Sequence, residues 1–302
     1  MTEVPLRDLA ESWMLALEAE GKSPATLYAY RWSLTSFFRW YEAQGGAEPV
    51  LDKPGVQAFI TDLRRAGQRP GTLRLRQAAL HRFARWLRDE GERDYDVLDG
   101  LRLPKLDDPV VPHLTDAQMA ALLKACKGTA FLDRRDEAIV RLMTEGMLRS
   151  AELLALTVAD VDLRAGLAHV VRGKGGKGRW VPFGPETGTA LDRYRRVRSR
   201  QPLAVHTAAL WLPGNGSLKP FSYPGLSNAI KVRATRAGID GFHLHRLRHT
   251  GAVRWRRAGG SEEGLRSAGG WTRNSDMITR YTASASAELA QEEARRLRLG
   301  RF

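Results

Sequence analysis

HLHRLRHT, residues 243–250, packs three histidines and two arginines into eight positions, beside the apolar Leu244 and Leu247. On a helix, His245 and Arg248 stand three apart and share a face, with the leucines elsewhere around the axis. A zinc site would want His245 and His249 with a nearby carboxylate. The stretch offers arginines instead, which repel a divalent cation and cannot ligate it. An arginine–histidine face suits a phosphate. Arginine gives two parallel N–H donors to non-bridging oxygens, and histidine moves a proton near neutral pH.

The rest of the chain fits a polyanionic partner. The formal net charge is +14 over 302 residues. Residues 1–104 hold 15 basic and 15 acidic side chains, so the whole excess lies in residues 105–302, with 33 against 19. Even the neutral part is polarised: residues 63–88 carry eight arginines and no acid. Clustered cations of this kind attract nucleic acid. An arginine-rich surface without function is the plain alternative, and RYRRVRSR at 193–200 could be that. At 43% hydrophobic residues the chain can build a core. One cysteine, Cys126, excludes an intrachain disulfide and fits a reducing compartment. The N-terminus has no signal-peptide pattern, and no apolar run approaches a membrane span. A cytoplasmic, nucleoid-associated protein is expected.

The spacing predicts a mainly α protein with a small β-sheet. Leu6, Leu9, Ala10, Trp13 and Leu17 recur at helical intervals. Ser23 and Pro24 open a second helix, and Gly45–Gly46 close it. A short helix spans 56–65, and a fourth from Pro70 echoes the second at an offset of 46, with Leu27/Leu73, Phe37/Phe83 and Trp40/Trp86 matched. Two copies are too few for a solenoid and read as a bundle of two hairpins. LPKLDDPVVPHLTDAQM interrupts this with three prolines and two adjacent acids, an extended linker. The expected organisation is therefore 1–104 bundle, 105–112 linker and 113–302 second domain. Thr115 caps a new helix, and others are expected at 132–144 and 150–156. VADVDL, LAHVVR and RWVPF read as short strands, the last two joined by GKGGKG. Helices then cover 186–200, 225–237, 243–257, 262–268, and 274 almost to the end.

HLHRLRHT resembles the His-x-x-Arg box of the tyrosine recombinases, or phage integrase family, and four other pieces follow that family's order. TEGMLRSAELLALTVADVDL resembles its first arginine box, with Arg149 as catalytic arginine and Glu152 as supporting acid. VVRGKGGKGRWVPF resembles the hairpin of the catalytic lysine, which aligns with Lys174; Lys177 is the alternative. AGGWT puts Trp271 where the family has His or Trp, and MITRYT puts Tyr281 at the nucleophile. Trp271 to Tyr281 is ten positions where the family has nine, an extra residue assigned to the WTRNSD loop. The resemblance covers nearly the whole chain. It implies an N-terminal four-helix core-binding (SAM-like) bundle plus an α+β catalytic domain, without the arm-binding domain some integrases carry.

The resemblance implies a site-specific DNA recombinase acting on double-stranded DNA as a tetramer, through a 3′-phosphotyrosyl intermediate and a Holliday junction. It needs no cofactor, metal, membrane or small-molecule substrate. Tyr281 would attack the phosphorus, Arg149 and Arg248 would hold the equatorial oxygens, and His245 would take the phenolic proton. A lysine would protonate the leaving oxygen, and Trp271 would pack on Tyr281 and donate to phosphate. Arg69, Arg74, Arg76, Arg82, Arg85, Lys177 and Arg179 are the expected DNA contacts. A catalytically inactive DNA-binding regulator and a type IB topoisomerase are the competing readings. Arg149 and Glu152 could also be an ordinary surface pair, and the tail helix could close its own domain or pack on a neighbouring subunit.

Overall fold

A computed structural model describes residues 4–46, 48–105, 112–171, 178–214, 216–217, 219–272 and 277–297, without the side chains of Met277, Arg280, Tyr281 and Ser284. The chain divides into two compact units, Met1–Pro109 and Val110–Phe302.

The first unit is a bundle of α1 (Leu6–Ala19), α2 (Pro24–Ala43), α3 (Lys53–Arg65) and α4 (Pro70–Asp89). Proline stands in the first turn of α2, α3 and α4, where its missing N–H costs nothing. Ser23 and Asp52 cap α2 and α3 by accepting from the Thr26 and Gly55 amides at 3.2 and 2.7 Å. The apolar stripes meet in an aromatic core. Trp13 stacks on Tyr30 at 5.5 Å, and Phe37 meets Phe59 edge-on at 5.4 Å. Each such ring contributes about 1.5–3 kcal/mol by burial.

The second unit begins with α5 (Asp116–Ala125), which Thr115 and Gln118 cap reciprocally. Then come α6 (Phe131–Glu145), α7 (Ser150–Ala155), β1 (Val161–Asp162), β2 (Leu167–Val170), β3 (Arg179–Pro182) and α8 (Pro185–Arg198). A 3-10 turn, Pro202–Val205, leads towards α9 (Tyr223–Arg236), α10 (His245–Arg257) and α11 (Glu262–Gly269). The strands form one antiparallel sheet in order β1-β2-β3, with Val170 opposite Arg179. α6 is central: Ala138, Ile139, Val140 and Leu142 are fully buried, and it packs on both α8 and α10. Gly251 lets α10 approach closely, since a Cβ there would meet the Thr144 carbonyl oxygen at 2.0 Å.

Two expectations need correction. The helix expected from His243 starts at His245, and His243 lies outside it. The single tail helix is broken: α12 (Met277–Thr282), a 3-10 turn at Ala283–Ala285, then α13 (Ser286–Arg296). Small side chains there leave the backbone free to tighten, and Arg257 of α10 pairs with Glu288 of α13. No described helix is long and apolar enough to cross a membrane.

Candidate active site

The HLHRLRHT residues divide their work by depth. Arg246 is buried and clamps the segment before α5, donating to the Pro112 carbonyl at 3.1 Å and the Asp240 carbonyl at 3.0 Å. Thr250 accepts from the Leu114 amide at 2.8 Å. His249 is buried, and its ring meets His245 edge-on at 5.1 Å. Arg248 is fully enclosed, lying 4.7 Å from the Trp271 ring centre. It donates to the Met147 carbonyl and, at 2.6 Å, to the Gly269 carbonyl.

Met147 explains part of this geometry. Its φ of +48° is a left-handed backbone on a side chain that disfavours it. The turn joins the end of α6 to Arg149, while the Met147 side chain fills a small core with Ala252, Leu265, Ala268, Trp271 and Ile278. Core packing holds the strain, and the strained carbonyl anchors Arg248.

Arg149 precedes α7 as its N-cap. Its amide donates to Glu152 Oε2 at 2.9 Å and its Nη1 to Oε1 at 2.7 Å. Nη2 donates to the Gly270 carbonyl at 3.3 Å, and 30% of the side chain stays exposed. Glu152 is enclosed. Burial alone would raise its pKa, but hydrogen bonds from Arg179 and the Arg149 amide outweigh that and bring it to about 2. Arg179 sits on β3 and donates to the Ala268 carbonyl at 3.0 Å.

Three arginines from three segments thus donate to three consecutive carbonyls, Ala268, Gly269 and Gly270, at the C-terminal end of α11. Those carbonyls have no helical partner and carry the negative end of the helix dipole, so cations settle there. Gly270 takes φ +64°, turning the chain into Trp271. Arg149, Arg248, Glu152 and Trp271 therefore meet at one place, and His245 lies beside them. Tyr281 belongs to α12, but its side chain lies outside the described residues. Lys174 and Lys177 lie outside them too, as does the stretch 273–276 assigned to the extra residue.

Loss of hydration, then the charges of Arg248, His243 and Arg149, lower His245 to about 4. The residue as a whole is exposed, so water moderates the depression. The ring is neutral at physiological pH and able to accept a proton. The acid limb of DNA cleavage at subsaturating DNA is expected below the ordinary histidine value of about 6.5. A limb at or above that value would remove His245 as the base. Between about 4 and 6.5 the unfolded chain binds a proton that the native one does not, so this histidine weakens the fold as pH falls through that window.

The expected DNA-contact arginines separate. Arg69, Arg82 and Arg85 are exposed on or beside α4. Arg74 is half-buried and donates to the Pro104 carbonyl at 3.0 Å. Arg76 is buried instead of presented, at 8% exposure, because its α4 face turns inward. Arg179 also departs from expectation: its fork points into the protein, not at solvent. Sequence reasoning missed this, and missed the Met147 anchor. The small residues of AGG before Trp271 were the available signal for a close backbone approach.

Residues 112–288 match the phage integrase family model, and residues 10–91 match that family's N-terminal SAM-like domain. The tyrosine recombinase XerD of Ralstonia nicotianae is 33% identical over 239 residues, spanning 78% of this chain and 76% of its own length. XerC of Xanthomonas campestris pv. campestris is 31% identical over 282 residues, spanning 89% and 81%. Among solved structures, a lambda integrase dimer bound to a COC′ core site shares the fold, with TM-score 0.73, 16% identity, and coverage of 93% of this chain and 78% of that one. The fold and the family match define a DNA strand-breaking and rejoining enzyme with a SAM-like bundle and a mainly helical catalytic domain. The chain belongs to the phage integrase family of tyrosine recombinases, and its activity is site-specific recombination on DNA.

Proposed function

We propose that the chain exchanges strands between two copies of a specific duplex site, as a tetramer, through a 3′-phosphotyrosyl intermediate and a Holliday junction. The Tyr281 oxygen attacks the scissile phosphorus while the bond to the 5′ oxygen breaks. His245 takes the phenolic proton, and Lys174, with Lys177 as the alternative, gives one to the departing 5′ oxygen. Arg149 and Arg248 neutralise the equatorial oxygens, a role metal ions fill in many nucleases. The phosphotyrosyl bond keeps the energy of the broken linkage, so rejoining to a second strand needs no ATP.

The observation that carries this reading is the set of three arginine–carbonyl bonds at residues 268–270, which draws Arg149 and Arg248 to one helix end. Residues 1–104 and the exposed Arg69, Arg82 and Arg85 grip the duplex, 105–112 link, and 113–302 react. A cytoplasmic, nucleoid-associated location follows from such a substrate.

Two differently labelled duplexes carrying the site test the proposal. Recombinant duplexes are expected, with covalent protein–DNA adducts trapped on nicked substrates. Adducts without exchange would indicate a topoisomerase-like enzyme, and binding without adducts an inactive regulator.

A further inference from the structure

Resting on the recombination reading above, we propose that Arg179 is a positioning residue for the Arg149 clamp. It holds both oxygens of Glu152 and the Ala268 carbonyl at once, fixing the Arg149 guanidinium against the end of α11.

The geometry is a closed circuit. Arg179 Nη1 donates to Glu152 Oε1 at 2.9 Å, and Nη2 to Oε2 at 2.8 Å. Those two oxygens are the ones that take the Arg149 Nη1 and amide. Each oxygen of Glu152 therefore serves one donor from each arginine. Arg179 keeps only 12% of its side chain exposed, which suits a strut better than a phosphate contact. The space around it is shaped to its presence: a Cβ on Gly270 would lie 2.9 Å from its guanidinium carbon.

The arrangement answers an electrostatic problem. Arg149, Arg179 and Arg248 all converge on residues 268–270 and repel one another. One carboxylate and a helix C-terminus are the counter-charges that let them share the place. A carboxylate held by Arg149 alone has one fixed donor, the amide, and one on a flexible side chain, so it can still turn about the Cγ–Cδ bond with the guanidinium following. The bidentate fork from Arg179 fixes its plane, and with it the direction of Arg149. Lysine cannot do this, since an ammonium is a point donor. The strut also starts β3, so it ties the strand leaving the lysine hairpin to the arginine clamp.

Single-turnover cleavage on nicked duplexes tests the proposal, with either a normal scissile phosphodiester or a methylphosphonate. The methylphosphonate is uncharged, so its transition state asks less of Arg149. R179M is expected to cleave the normal linkage about 100-fold more slowly, the scale of a 1 Å misplacement. That deficit should shrink at least tenfold on the methylphosphonate, about tenfold being 1.4 kcal/mol at the transition state, and R149A should shrink alongside it. R179K should recover little of the loss. If leaving Glu152 buried and half-paired prevents R179M from folding, E152Q/R179M removes that charge. Its deficit should not exceed that of E152Q alone, since Arg179 acts through Glu152. An R179M deficit equal on both substrates, beside an R149A deficit that shrinks, overturns the proposal. So does a double variant far slower than E152Q. If R149A shows no shrinkage, or the wild-type protein forms no covalent adduct, the recombination chemistry itself is at fault and the proposal falls with it.

Discussion

Tyr281→Phe is expected to lower DNA cleavage by at least about 10⁴-fold, the order seen when an enzyme loses its nucleophile, while DNA affinity stays close to wild type. The substitution removes one oxygen from α12 and leaves the ring, so neither the helix nor the charged surface changes. Binding to a duplex rests on many phosphate contacts, and a neutral phenol contributes little to their counterion release. Denaturing gels of nicked substrate separate the outcomes. Wild type should give a protein–DNA band that survives denaturation, and the phenylalanine variant none. A covalent band in that variant would assign the nucleophile to another residue. Equal loss of binding would instead make Tyr281 a structural or contact residue. No other tyrosine follows HLHRLRHT in the chain.

The elements of the bundle could be read in advance because each announces itself locally. Ser23–Pro24 and Pro70 open helices where they were expected, and leucine and phenylalanine spacing located the buried faces. The strands LAHV and RWVP emerged likewise, though in VADVDL only Val161 and Asp162 form ladder pairs with β2, and Asp160 adds a single bond by accepting from the His169 amide at 2.7 Å. What local pattern could not supply is direction in three dimensions. Arg76 and Arg82 look alike in sequence, yet one turns inward and the other out, since they differ by six positions on a helix of 3.6 residues per turn. Arg179 read as a phosphate contact because its neighbours are basic. Its partner, Glu152, lies 27 residues earlier, and no periodicity connects them. The left-handed Met147 was equally hidden, as glycine is the residue that usually marks such a turn and Gly146 stands beside it with an ordinary φ.

Arg248 should show the second large effect, and two substitutions are needed to read it. Arg248→Ala removes a fully enclosed side chain and strands the Met147 and Gly269 carbonyls without their donor. Two buried acceptors left unmet, plus a cavity beside Trp271, should destabilise the protein by about 2–5 kcal/mol. A fall in activity there mixes folding with chemistry. Arg248→Lys keeps the charge but loses the planar fork, so it cannot reach both carbonyls and stack on Trp271 together. Its cleavage rate is expected to drop about 10²–10³-fold, the cost of a lost transition-state donor, with DNA affinity changed far less. The lysine variant should be compared at saturating DNA, where the rate is read apart from affinity. Equal losses in rate and affinity would make Arg248 a binding residue, whereas a rate loss alone places its charge on the pentacoordinate phosphorus.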